Sequence, residues 1–281
     1  MRVPIKTQNE IDKMADAGKI LAEIVAKMWE FTKPGVTTLD IDAYANQLCQ
    51  EYSVVPAFLG YKSGKYRYPA TACLSVNEVI VHGVPSLTPL KATDLLTIDM
   101  GIEIDGWFSD MSIPAFVVRD VLEKPVPQNL RPEEKSRVEN GKRVLRAANA
   151  SLAAAIGKCK PGNHLKDVCL AIRDTAREYT CRPMLEFVGH GIGRKLHEDP
   201  QIPGYWMADM YDDCILQKGM VFAIEAILTA GKATEAKISR EDHWSAWPKD
   251  LAMTAVSEHT VAIDNTPRIL TQVQPFNTNK Q

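Results

Sequence analysis

Two stretches of this chain repeat one another at a fixed offset of 127 residues. Lys33-Pro34-Gly35, Asp40-Ile41 and Glu51-Tyr52 recur as Lys160-Pro161-Gly162, Asp167-Val168 and Glu178-Tyr179. The apolar positions upstream agree in phase, with Gly18, Leu21, Val25 and Met28 opposite Leu145, Ala148, Leu152 and Ala155. Both quartets have the 3-4-3 spacing of one helix face. Each half therefore reads as a helix, a Pro-Gly break, a second helix and then strands. A Lys-Pro-Gly turn between helices is common by itself. Together with the helical phase, the agreement favours an internal duplication, with halves at about 1–122 and 136–270. Two similar α+β halves are expected to face each other around a shared site. The Pro-rich, charged stretch from Glu123 to Lys135 reads as the surface connection between them.

At 281 residues, 45% hydrophobic and 24% charged, the chain is long enough to bury a core without staples. No apolar run approaches the roughly 18–20 residues that span a bilayer. The opening MRVPIKTQNEID has no apolar centre, so no signal peptide is expected. A net charge of −2 gives no support to nucleic-acid binding. Cys49, Cys73, Cys159, Cys169, Cys181 and Cys214 form no CxxC pair. Spread this thinly, they read as buried free thiols in a reducing compartment, which makes the cytoplasm the expected location.

Leu95 to Val118 alternates strongly around Asp105-Gly106, a strong hairpin signal. With those two as turn residues, Ile104 pairs with Trp107, Ile102 with Ser109, Met100 with Met111 and Ile98 with Ile113, an apolar face for the core. The opposite face pairs Glu103 with Phe108, Gly101 with Asp110 and Asp99 with Ser112. Asp99 and Asp110 are then diagonal neighbours, roughly 7–8 Å apart at the backbone. Two carboxylates there repel unless one is protonated or a cation lies between them. Read alone, polar strand residues more often mark a solvated face, and the hairpin leaves both readings open.

Of the six histidines, His190 and His197 lie in a glycine-rich run, GHGIGRKLHEDP, without the HExxH spacing of helical zinc proteases. Glu225 interrupts the apolar run Met220 to Leu228, and Glu258 interrupts Met253 to Ile263. A carboxylate inside an apolar strand is costly unless paired or metal-bound. Both are expected near the ends of a mostly apolar sheet. Asp99, Asp110, Glu225 and Glu258 carry −4 when ionised, which two divalent cations balance. Oxygen ligands with one imidazole from His190 suit Mn, Fe, Co or Zn, and two metals roughly 3.5–4 Å apart make a hydrolytic centre.

The order and spacing of Asp99, Asp110, His190, Glu225 and Glu258 resemble the five metal ligands of the pita-bread metallopeptidases. The segment from Ser75 to Pro85, SVNEVIVHGVP, is similar to the one that carries a catalytic histidine, here His82, in type I methionine aminopeptidases. The 11-residue gap between the aspartates, the GHGIGR and HEDP runs, and Glu258-His259-Thr260 also match. The resemblance runs from about Lys6 to Leu270, and it is to the short bacterial form without an N-terminal extension. It implies an α+β pita-bread fold, two pseudo-symmetric α/β halves around a central antiparallel sheet, in a single catalytic domain over 1–281.

The implied activity is removal of the initiator methionine from nascent polypeptides by hydroxide attack at a dinuclear centre of Co, Mn, Fe or Zn. Glu225 is then both ligand and general base, His197 stabilises the oxyanion, and His82 bonds the scissile amide region. The substrate's free amine binds near Asp99. Tyr61, Tyr68, Cys73, Leu196, His82, His197 and Trp244 shape the methionine pocket. The implied partners are nascent polypeptide N-termini, with transient ribosome association, no direct nucleic-acid specificity, no membrane and a monomeric state.

This chain departs from the family pattern in four places. Ala226 follows Glu225 where proline is usual, and Leu196 replaces an aromatic beside His197. Val256-Ser257 stand where a glutamine and an aromatic are typical, and Lys62 to Arg67 is about four residues longer than in common bacterial relatives. All four bear on pocket shape and selectivity. The alternatives are an Xaa-Pro aminopeptidase, a branch with an additional N-terminal domain, and a non-catalytic pita-bread binding protein.

Overall fold

The computed structural model describes residues 3–126 and 128–273. Among them, α1 (Gln8–Phe31) and α2 (Thr38–Glu51) precede the strands β1 (Val55–Pro56), β2 (Lys62–Ser63), β3 (Tyr66–Arg67), β4 (Cys73–Val76), β5 (Leu95–Ile104) and β6 (Trp107–Phe116). A second helix pair follows, α3 (Pro132–Lys158) and α4 (Leu165–Glu178). Then come β7 (Arg182–Pro183), β8 (Val188–Gly191), β9 (Glu198–Pro203), β10 (Val221–Thr229), β11 (Ala236–Ile238), β12 (Ala246–Pro248), β13 (Thr254–Ala262) and β14 (Arg268–Ile269).

The second helix of each pair starts and stops at the same repeat positions, α4 lying 127 residues after α2 at both ends. The local causes also recur. Asp40 accepts the backbone N–H of Thr37, and Asp167 that of His164, each tying down an otherwise unpaired helix-start donor. Gly35 and Gly162 both sit at φ +91°, a left-handed conformation that favours glycine. Their N–H groups donate to Leu90 and Leu216 carbonyls, anchoring both breaks alike. The connection between the pairs is shorter than the 123–135 read from sequence. A Pro at the first helical position starts α3 at Pro132, so Pro132 to Lys135 are helical. Pro127 lies outside the described residues, as do the two ends of the 1–281 span.

The long strands form an antiparallel sheet in the order β1-β5-β6-β13-β10-β8-β9, with β4 and β7 beside β5 and β10 and β14 beside β13. The β5–β6 register is the expected one, from Ile104 opposite Trp107 to Ile98 opposite Ile113. Ile98, Met100 and Ile102 are fully buried. One core packs α1 and α2 through Leu21, Val25, Met28, Ile41 and Leu48 against β5 and β6. A second packs α3 and α4 through Leu145, Ala148, Leu152, Val168 and Ile172 against β10 and β13. The helices thus cover one face of the sheet, which leaves its other face free to carry polar side chains.

A candidate metal centre on the open face of the sheet

Sheet register puts the acidic residues in a row. Asp99 on β5 lies opposite Ser112 on β6, Ser112 opposite Glu258 on β13, and Glu258 opposite Glu225 on β10. Because side chains alternate along a strand, Asp110 shares the face of Ser112. His190 on β8 is opposite Ala223, two residues from Glu225. Glu225 and Glu258 therefore stand in the middle of their strands, not near the sheet ends as expected. The apolar runs already centre both residues, and the pairing of β10 with β13 sets them opposite each other.

Asp110, His190 and Glu258 bring ligand atoms within 4.8 Å of one another. Glu225 Oε1 is 3.7 Å from His190 Nε2. His190 Nδ1 lies 2.9 Å from the Gly191 carbonyl, so it is the protonated nitrogen and Nε2 is left as a lone-pair donor. Ser112 Oγ donates to Glu258 Oε2 at 3.0 Å, while Glu258 Oε1 and Asp110 Oδ1 are buried without a hydrogen-bond partner. Buried polar atoms are almost always satisfied. Orphaned carboxylate oxygens facing an imidazole lone pair fit a hard or borderline divalent cation.

The electrostatics agree with that fit. Burial raises the Asp99 pKa to about 7 against pull-back by hydrogen bonds from Ser112 and Cys73. Burial first, and then the neighbouring carboxylates, push Asp110, Glu225 and Glu258 well above the usual range. Burial and then the nearby His197 depress His82 to about 4 and His190 to about 3, so both are neutral at pH 7.

A group whose folded pKa is raised contributes stability that is lost as pH rises through that pKa. Between pH 7 and 8.5 the unfolded-state histidines are mostly neutral, so the raised carboxylates and the buried thiols Cys49, Cys159, Cys169 and Cys181, which burial also raises, both make stability fall with pH. We expect the Tm of chelator-treated protein to fall from pH 7 to 8.5, and saturating Mn²⁺ to flatten that slope. Scanning calorimetry at both pH values, with and without metal, checks this. A slope that Mn²⁺ leaves unchanged belongs to the thiols and contradicts a crowded carboxylate cluster.

The five residues open onto a cavity of about 580 Å³, which His82, His197, Tyr61, Tyr68, Cys73, Leu196 and Trp244 also line. His82 adopts φ +57°, a left-handed conformation uncommon outside glycine. Its ring stands edge-on to Phe187 and Trp244, with centroids at 5.7 and 6.2 Å. His197, at the exposed mouth, has Nδ1 2.8 Å from the Tyr61 hydroxyl and its ring 4.4 Å from that of His190. Desolvation at the cavity wall lowers its pKa. Tyr68, Cys73 and Trp244 are buried together, and Tyr68 donates to Ala72 and Gly83 carbonyls. Leu196 has two surfaces. It packs with Ile11, Met14 and Trp107 in the core and also reaches the cavity wall.

The Lys62-to-Arg67 segment folds as the β2–β3 hairpin. The Trp244 indole N–H donates to the Arg67 carbonyl at 3.2 Å, and Tyr66 stacks on His243 at 4.0 Å. Ser63 brings this hairpin to the cavity. Phe58, Phe187, Gln201 and Ile227 also line it and were not among the residues read from sequence. Ile227 shares a strand face with Glu225, so the period of two could have found it. Phe58 and Phe187 carry no local signal.

The sequence pattern of metallopeptidase family M24 matches residues 12–265. The methionine aminopeptidase of Aquifex aeolicus is 35% identical over 277 residues, covering 97% of this chain and 100% of that one. The crystal structure of methionine aminopeptidase from Thermotoga maritima superposes with a TM-score of 0.82 at 32% identity, over 96% of this chain and 100% of that one. Prolidase from Pyrococcus furiosus shares the fold at a TM-score of 0.67 and 23% identity, and this chain covers 66% of it. A family match over almost the whole chain, on a pita-bread fold with a buried cluster of carboxylates and one imidazole, means that the chain belongs to the metallopeptidase family M24.

Proposed function

We propose that this protein is a metal-dependent aminopeptidase that removes the initiator methionine from nascent polypeptides. The observation that carries the reading is one cavity lined by all five ligand-type residues, both histidines and an apolar slot. Asp99, Asp110, His190, Glu225 and Glu258 would hold two divalent cations, drawn from Co, Mn, Fe or Zn, whose charge would balance four carboxylates. Bound there, the cations would supply Lewis-acid polarisation and an activated water.

The rest is done by the chain's own groups. Glu225, ionised once cations neutralise the cluster, takes the proton of the attacking water. His82, neutral at pH 7, offers a hydrogen bond to the scissile amide region. His197 donates to the oxygen on which negative charge develops. Tyr68, Cys73, Leu196 and Trp244 form the wall for the thioether side chain, with sulfur–aromatic contact available from the rings. Asp99 lies where a free substrate amine is received, which restricts the enzyme to chain ends. The sequence repeat and its matched helix ends support an origin by duplication, with halves of about 1–122 and 136–270 in a single catalytic domain. No helix among the described residues is long and apolar enough to cross a membrane. A cytoplasmic monomer with transient ribosome association fits this role.

The test is peptide hydrolysis after metal removal and reloading. Released methionine from Met-Ala-Ser, dependent on about two metals per chain, is the expected result. Cleavage of Ala-Pro peptides instead moves the protein to the Xaa-Pro type, and metal binding without hydrolysis of either makes it a binding protein.

A further inference from the structure

We propose that Lys6 is a positioning residue for the reaction, acting through Glu198 on the loop that carries His197. This rests on the role given to His197 above. Lys6 precedes α1 and lies 192 residues from Glu198 in the chain, yet its ammonium donates to Glu198 Oε2 at 2.8 Å. The pair is buried, with side chains 5% and 10% exposed. The second oxygen, Oε1, accepts the backbone N–H groups of Arg194 at 2.7 Å and Lys195 at 3.1 Å. One carboxylate therefore closes the turn 194–198 on itself and ties it to the N-terminal segment.

The packing is built around this tie. A Cβ on Gly193 would lie 2.6 Å from Lys6 Cε and 2.9 Å from Glu198 Oε1, so glycine is what lets the lysine stem pass. The Lys6 backbone is held in turn, its N–H donating to the Gly219 carbonyl at 2.8 Å. On the far side, the Arg194 guanidinium lies 3.8 Å over the Trp107 ring. His197 is the residue immediately before Glu198, so the height of its imidazole in the cavity follows the seat of that carboxylate. Tyr61 fixes the ring from above, through Nδ1. Removing the lysine charge leaves a buried carboxylate without its cation, and such a group pulls toward water. A misplacement of about 1 Å in a positioned group costs on the order of 10²-fold in rate.

The experiment is a double-mutant cycle of Lys6→Met with His197→Ala on Met-Ala-Ser hydrolysis. Lys6→Met alone is expected to lower kcat about 10- to 100-fold with KM changed by less than about twofold and metal content unchanged. In the His197→Ala background its further effect should be under about threefold, because the group it positions is gone. A loss carried over in full to that background overturns the proposal and makes the pair a stability feature. If Lys6→Met does not fold, Glu198→Gln enters the same cycle with the same two outcomes. If wild-type protein releases no methionine, the reading of the reaction fails and the tie is still tested. Hydrogen exchange of the Arg194 and Lys195 amides should quicken in the variant, and unchanged exchange rejects the tie.

Discussion

Glu225→Gln is expected to lower kcat about 10²–10⁴-fold, the usual worth of a positioned general base. The substitution keeps shape and volume and removes one negative charge. Glu225 stands mid-strand opposite Glu258, with Oε1 3.7 Å from His190 Nε2. Burial, followed by the charges of Asp99 and Asp110, raises its pKa. That rise belongs to the metal-free cluster; bound cations favour the ionised carboxylate, the form that can take a proton. The fold should be at least as stable as wild type without metal, because one member of a repelling buried cluster has been neutralised. Metal affinity should fall as well, since the ligand set loses a charge. Titration with Mn²⁺ separates the two roles. A loss that persists at saturating metal belongs to proton transfer, whereas a loss fully recovered by added metal leaves Glu225 as a ligand only. Wild-type turnover at every metal concentration removes it from both.

What sequence could and could not disclose about this site follows from the range of the forces involved. Asp99 and Asp110 were legible as a pair because Asp105-Gly106 fixes the hairpin register locally, and the observed pairing is that register. The helix pairs were legible because apolar phase, cap residues and the two glycines at φ +91° act within a few residues. The resemblance of scattered ligands to a known family supplied the rest of the list, and all of those residues line one cavity. Local pattern could not say that Glu225 faces Glu258, which is decided when β10 and β13 pair across 24 intervening residues of other structure. Nor could it say that Phe58 and Phe187 wall the cavity, or that the β2–β3 hairpin is pinned by Trp244 and His243. The tie from Lys6 to Glu198 was hidden for the same reason. A buried ion pair between distant segments leaves no periodicity in either one.

His197→Ala should lower kcat about 10²–10³-fold, or about 2.7–4 kcal/mol of transition-state stabilisation, the range measured when one oxyanion donor is lost. The geometry separates this residue from the ligand set. Its Nδ1 is engaged by the Tyr61 hydroxyl at 2.8 Å, so Nε2 is the nitrogen left to donate. Desolvation lowers its pKa, which keeps it a neutral N–H donor at pH 7 and not a charged acid. It contacts His190 ring to ring at 4.4 Å, yet it comes from the turn before β9 and not from the strands that carry the five ligand-type residues. Metal content should therefore hardly change, and KM should move little, because the charge it serves develops only in the transition state. The imidazole is exposed at the cavity mouth, so its truncation should leave the Tm close to wild type. Stopped-time hydrolysis of Met-Ala-Ser with parallel metal analysis decides the matter. A variant that loses metal while turning over at the wild-type rate per bound ion would make His197 a ligand and move the oxyanion role to His82, the other neutral imidazole on the cavity wall.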